Sequence, residues 1–162
     1  MAPLRSISRR LRRFAQIDNR RRALLLEAVA WLLLARLALV FIPFPRLARH
    51  LGKFVTPTIA RGLQATSMRS HDHARLAEEV GWAVTRAARH VPFKAVCLPQ
   101  AMAARIMLKR RGVGSVLHFG AAKNTTLGGK KPLDAHAWLD AAGVEVTGYP
   151  VAQNFAEIAC FV

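Results

Sequence analysis

An apolar run of twenty residues, ALLLEAVAWLLLARLALVFI at 23–42, must find a dry environment before the rest of this chain can be placed. As a helix it would be about 30 Å long, which is the thickness of a bilayer's hydrocarbon core. Two charges interrupt it. Glu27 and Arg36 stand nine positions apart, roughly opposite each other around a helix, so neither a clean amphipathic stripe nor a clean membrane face results. The run therefore reads as a buried core helix, with a helix on or in the inner face of a membrane as the alternative. A secretory signal fits worst, because no small-residue cleavage site follows and Phe41-Ile42-Pro43-Phe44-Pro45 closes the run.

The stretch upstream, residues 1–22, carries eight arginines and one acid, Asp18. It reads as a solvated basic arm, and such an arm stays on the cytoplasmic side of a membrane. Cytoplasmic location is expected, with peripheral attachment to the inner membrane face as the alternative. Over the whole chain 25 Lys and Arg face 9 Asp and Glu, a net charge of +16 that calls for anionic surroundings. Specific nucleic-acid binding is not expected, because no interleaved aromatics, helix-turn-helix or RNA motif accompany the charge. Two cysteines, Cys97 and Cys160, make no disulfide framework and fit a reducing compartment, although one bridge between them is compatible with the count.

Pro43 and Pro45 should end the first helix, residues 46–55 can form a short second one, and residues 58–69 show weak periodicity. Ser70 is an N-cap candidate for a helix over 71–90, with Leu76, Val80, Val84, Ala87 and Val91 on one face. A further helix should begin near Cys97, with Pro99 in its first turn and Arg105, Lys109, Arg110 and Arg111 towards its end before Gly112. Past Gly112 the grammar changes to strands: 115–121, 134–140 and 144–147, with a loop over 124–132. Helices followed by an antiparallel meander predict an α+β fold of the papain/transglutaminase-like type. The division expected is a basic arm (1–22), a helical lead-in (23–69) and a catalytic domain (70–162).

Two residues carry the chemistry. A thiol is a nucleophile only as thiolate, and a helix N-terminus favours that form through its unpaired N–H groups and dipole. Cys97 occupies such a place. A base is needed too, and His136, between the small residues Ala135 and Ala137 on a predicted central strand, is the best candidate. Taken singly, either residue is more often core packing; together they form a candidate dyad. The backbone N–H of Cys97 is the preferred oxyanion donor, and Gln100 is the weaker one, more in keeping with capping. Cys160 reads as packing. His71-Asp72-His73 lacks a third ligand at suitable spacing and reads as surface. His118 lies on the strand face opposite Leu117 and Phe119, and Trp138 shares a face with His136.

The strings CLPQAMAARIMLKRRGVGSVLHFGAAK and LDAHAWLDAAGVEVTG, over about residues 70–150, resemble the transglutaminase-like leader peptidase of lasso-peptide biosynthesis, which is similar to the C-terminal part of the microcin-processing B protein. The run LLLEAVAWLLLARLALVFIPF also resembles the hydrophobic lead-in of stand-alone members. The resemblance implies a cysteine protease that removes the leader from a ribosomally made precursor. Its implied partners are the precursor leader peptide, a PqqD-like leader-recognition protein and an asparagine-synthetase-like cyclase. No cofactor or metal is implied for this chain, and ATP dependence is left open. An acyl or amide transferase of transglutaminase type and a non-catalytic peptide-binding or membrane-associated scaffold are the alternatives.

The chain departs from the family pattern at one place. The family's third residue is an acid about twelve positions beyond the histidine, and here that position is Gly148. A dyad whose ring is oriented by a backbone group is the first expectation. Asp134, Gln153 and Asn154 are weaker candidates for the third group. A simple hairpin about Ala142-Gly143 would place Tyr149 opposite His136.

Overall fold

The computed structural model describes residues 18–66, 70–123 and 133–162. The expected loop over 124–132 lies outside the described residues. Helix α1 (Asn19–Phe41) is followed by α2 (Phe44–Ala48), strand β1 (Phe54–Val55), α3 (Pro57–Thr66), α4 (His71–Ala88) and α5 (Cys97–Lys109). Strands β2 (Val116–Lys123), β3 (Leu133–Ala141) and β4 (Val144–Thr147), a 3-10 turn (Val151–Asn154) and β5 (Ala156–Phe161) complete the order.

The sheet is antiparallel throughout, in the order β1-β5-β2-β3-β4. The expected meander is its β2-β3-β4 half. The other half, β5 and β1, was not expected: residues 46–55 are helical only as far as Ala48, and Phe54 and Val55 pair with Phe161 and Cys160. Weak periodicity at 58–69 concealed helix α3, whose first residue is Pro57. Proline suits that position because its missing N–H would have no intrahelical acceptor there. Ser70 stands at the N-cap of α4 as expected but makes no side-chain cap hydrogen bond.

One sheet face is covered by helices α4 and α5, and α1 packs on those two helices. Leu117, Ala137, Leu139 and Phe161 from the strands pack with Leu32, Val80, Val84, Met107 and Leu108 from the helices. The α1 side chains Leu24, Leu25, Ala28, Leu32 and Ala35 are buried in this core, so the helix belongs to it and is not threaded through a separate layer. Arg111, past the end of α5, locks the join: its guanidinium meets Glu27 at 2.5 and 3.2 Å and holds that carboxyl below its ordinary pKa. Arg105, expected among the basic residues loading the end of α5, turns inward. It donates to the carbonyls of Ser115 (2.9 Å) and Phe161 (3.0 Å), tying α5 to β2 and β5. The opposite sheet face is covered by α3, where Ala60 packs on Val116 and Cys160.

Candidate active site

Cys97 is the first residue of α5, half-buried at the margin of the core, and its thiol is free. Pro99, fully buried in the first turn, removes one backbone donor and leaves the N–H groups of Cys97 and Leu98 at the helix start. Gln100 donates from Nε2 to the carbonyl of Ala95 at 2.6 Å. This bond caps no helix N–H; it ties the first turn of α5 back to the segment that precedes Cys97.

His136 sits mid-way along β3, half-buried, on the strand against which α5 packs. Its Nε2 lies 2.8 Å from the carbonyl oxygen of Gly148. A carbonyl only accepts, so Nε2 carries the proton and Nδ1 carries the lone pair. The ring is stacked on Phe155 (centroids 4.9 Å) and Trp138 (6.2 Å). These contacts fix both the plane and the tautomer of the imidazole.

The group facing His136 is thus a main-chain oxygen of the residue where an acid was sought. Gly148 has φ +91°, and a Cβ there would lie 2.6 Å from Trp138 Cβ and 2.8 Å from the Ala137 oxygen. No side chain fits. The simple hairpin register also fails: a bulge between Leu139 and Asp140 pairs Leu139 with Thr147 and Asp140 with Glu145. Extended past Thr147, that register would carry Pro150, rather than Tyr149, opposite His136. Tyr149 instead donates to Asp140 at 2.6 Å. Asp134 is exposed at the start of β3, opposite Ala122, and Gln153 and Asn154 are exposed on the 3-10 turn.

Among the described residues, no hydrogen bond joins the Cys97 thiol to the His136 ring. Strand alternation explains the distance to be closed. Ala137 and Leu139 face α5, whereas His136 shares its face with Trp138 and, across the ladder, with His118.

The cysteine that does touch a histidine is Cys160. Its Sγ lies 3.5 Å from His118 Nδ1 and 3.0 Å from Glu157 Oε1. His118, on the face opposite Leu117 and Phe119 as expected, is 3% exposed and stacked flat on Trp138. Glu157 bonds its Nδ1 and Asp140 lies 3.3 Å from its Nε2. Burial opposes the charged ring, yet the bonds to Asp140 and Glu157 outweigh it and raise the pKa. For Glu157, burial is outweighed by the bonds from Cys160 and His118 and by the nearby charges, so its pKa is lowered. Burial, then Glu157, push the Cys160 thiol up to about 12. His118 Nδ1, Glu157 Oε1 and Cys160 Sγ all lie within 4.8 Å of one another and include the donor types of a metal centre. In the charged-ring state a proton on the sulfur and one on each ring nitrogen already satisfy these atoms, so the group reads as a buried ion network. His71 and His73 belong to no such group among the described residues.

Sequence reasoning reached Cys97, His136 and the shared face of Trp138. It missed Glu157 and Asp140 as partners of His118, which the β2-β5 and β2-β3 registers bring to it, and Tyr149 as the partner of Asp140. A cavity of about 790 Å³ is lined by Trp31, Met102, Arg105, Asp140, Glu145 and Tyr149 among others, but by neither Cys97 nor His136.

A family model for the transglutaminase-like superfamily matches residues 38–160, which covers the helix that opens at Cys97, all five strands and His136. No curated protein and no solved structure matches the chain. With the α+β architecture and a cysteine-initiated helix packed on the histidine-bearing strand, the match to three quarters of its length shows that the chain belongs to the transglutaminase-like superfamily.

Proposed function

We propose that this chain is a cysteine peptidase that removes the leader from a ribosomally synthesised lasso-peptide precursor. Cys97 is the nucleophile and His136 the general base and acid. The observation that carries this reading is the bond from His136 Nε2–H to the Gly148 carbonyl. It fixes the tautomer and leaves Nδ1 as the atom able to take a thiol proton.

In the reaction, His136 Nδ1 accepts the Cys97 proton as sulfur attacks the scissile carbonyl. The N–H groups of Cys97 and Leu98 hold the developing oxyanion. The imidazolium then gives its proton to the leaving amine, and water, deprotonated by the same nitrogen, releases the acyl group from sulfur. A PqqD-like partner would present the leader, and an asparagine-synthetase-like cyclase would take the product.

The test uses alkylation and cleavage together. Iodoacetamide at neutral pH should label one cysteine. Cys160, buried with its pKa near 12, stays silent, so the signal reports Cys97. Cys97→Ala should abolish both labelling and leader release, while a His136→Ala variant should lose release and be labelled more slowly. Leader release that survives Cys97→Ala would overturn the assignment. A product bearing an added amine, in place of a free carboxylate, would mark the protein as a transferase.

A further inference from the structure

The face of helix α1 that points away from the core is formed by Ala23, Leu26, Val29, Ala30, Leu33, Leu34, Leu37, Val40 and Phe41, and all nine are exposed. Not one is polar. At 100° per residue these positions fill an arc of about 140° and run for about 27 Å along the helix. The opposite arc holds Leu24, Leu25, Ala28, Leu32 and Ala35, which are at most 7% exposed. Monomeric soluble proteins seldom leave so long an apolar strip to water. Exposed Ile42 and Phe44 continue it beyond the helix end, where Phe41 is 77% exposed.

Charge brackets the strip at both ends. Arg46 and Arg49 are exposed just past the end of α1, and at its start Arg20 and Arg21 are exposed, the first paired with Glu79 at 2.8 Å and the second over the Trp82 ring at 5.4 Å. The arm before residue 18 adds Arg5, Arg9, Arg10, Arg12 and Arg13, within a chain of net charge +16. An apolar face flanked by arginines matches an anionic leaflet, with hydrocarbon below and phosphate on either side.

We infer that this face of α1 seats the protein on an anionic lipid surface, with the helix lying in the plane of the leaflet. The helix is long and apolar enough to cross a bilayer. Crossing would pull Leu24, Leu25, Ala28, Leu32 and Ala35 out of the core and break the Glu27–Arg111 pair. In-plane seating leaves all of these in place. The inference is independent of Cys97 and His136.

Flotation of the full chain with vesicles tests it. Vesicles of phosphatidylcholine with a quarter phosphatidylglycerol should carry the protein upward, and phosphatidylcholine alone should carry at least about tenfold less, given roughly a factor of five per arginine near the surface. Binding should fall as salt is raised. The double variant Leu33→Glu/Leu37→Glu changes only exposed positions, so it should keep its circular dichroism and melting temperature and lose the anionic vesicles. Retained binding by that folded variant would overturn the inference. So would a wild-type protein that ignores both vesicles, or one that forms a dimer in lipid-free buffer which the double variant dissolves, since the strip would then be an interface between copies. Should the variant misfold, Leu26→Glu at 61% exposure and Arg46→Glu/Arg49→Glu supply separate readouts of insertion and charge, and the same losses are expected.

Discussion

Gly148→Asp restores the acid that the family pattern places twelve residues beyond the histidine, and it should weaken the protein without improving it. Two costs add. The backbone at 148 has φ +91°, a region where an L side chain costs about 1–2 kcal/mol. The new Cβ would also lie 2.6 Å from Trp138 Cβ and 2.8 Å from the Ala137 oxygen. Those atoms belong to the strand backbone and the root of a buried side chain, so they cannot swing aside, and overpacking of this kind costs about 1–3 kcal/mol. The sum, about 2–5 kcal/mol, corresponds to a melting-temperature fall of roughly 4–20 °C in a domain of this size. Gly112→Ala separates the two causes, because Gly112 has φ +72° with nothing near its would-be Cβ and should lose only the conformational part. Thermal unfolding by circular dichroism reads both variants, and leader cleavage reads the consequence for the His136 ring. An aspartate at 148 that leaves the melting temperature unchanged and raises turnover would refute the reasoning.

Other variants probe the buried ion network and the ring stack. His118 titrates higher in the folded chain than its ordinary 6.5, so its contribution is complete below 6.5 and fades as pH climbs through the raised value. Glu157 titrates lower than its ordinary 4.5, so its contribution is complete above 4.5 and fades as pH falls through the lowered value. Urea midpoints should therefore be highest between those two ordinary values, and His118→Gln should flatten the alkaline limb; an unchanged pH slope in that variant would count against the network. Gly120→Ala places a methyl 2.8 Å from Trp138 Cζ3 and 3.0 Å from the Ala156 oxygen, and should cost about 1–3 kcal/mol while altering near-ultraviolet circular dichroism. A silent substitution there would mean that Trp138 is not held over the glycine.

Where local chemistry decided an element, the sequence was readable. Helix α5 was bounded in advance by Pro99 and Gly112, and β3 by its alternation through His136 and Trp138. The strand AEIACF at 156–161 was not readable, because alanine and glutamate have little strand preference and only pairing with β2 settles its state. Helix α3 stayed hidden because residues 58–69 carry weak periodicity, and a proline such as Pro57 fits a helix start as well as a stop. The bulge after Leu139 has no local signature, and it moves every register statement beyond it by one residue. Beyond Thr147 the chain leaves the ladder, and there Tyr149 bonds Asp140 and the Gly148 carbonyl meets His136.

The chain has a carboxylate near its histidine strand, but it is committed elsewhere. Asp140, four residues beyond His136, accepts from Tyr149 and faces His118 across the sheet. His136 is left with a neutral acceptor. A carbonyl orients the ring as well as a carboxylate does, but it adds no counter-charge, and charge-assisted bonds are roughly twice as strong as neutral ones. In the proposed reaction the start of α5, through its dipole and the N–H groups of Cys97 and Leu98, would therefore carry more of the developing charge than it does in a triad. The proposed peptidase would depend on how Cys97 is presented. Gln100 is then a positioning residue of more than ordinary weight, because its 2.6 Å bond to the Ala95 carbonyl holds the segment that carries the thiol to the helix start.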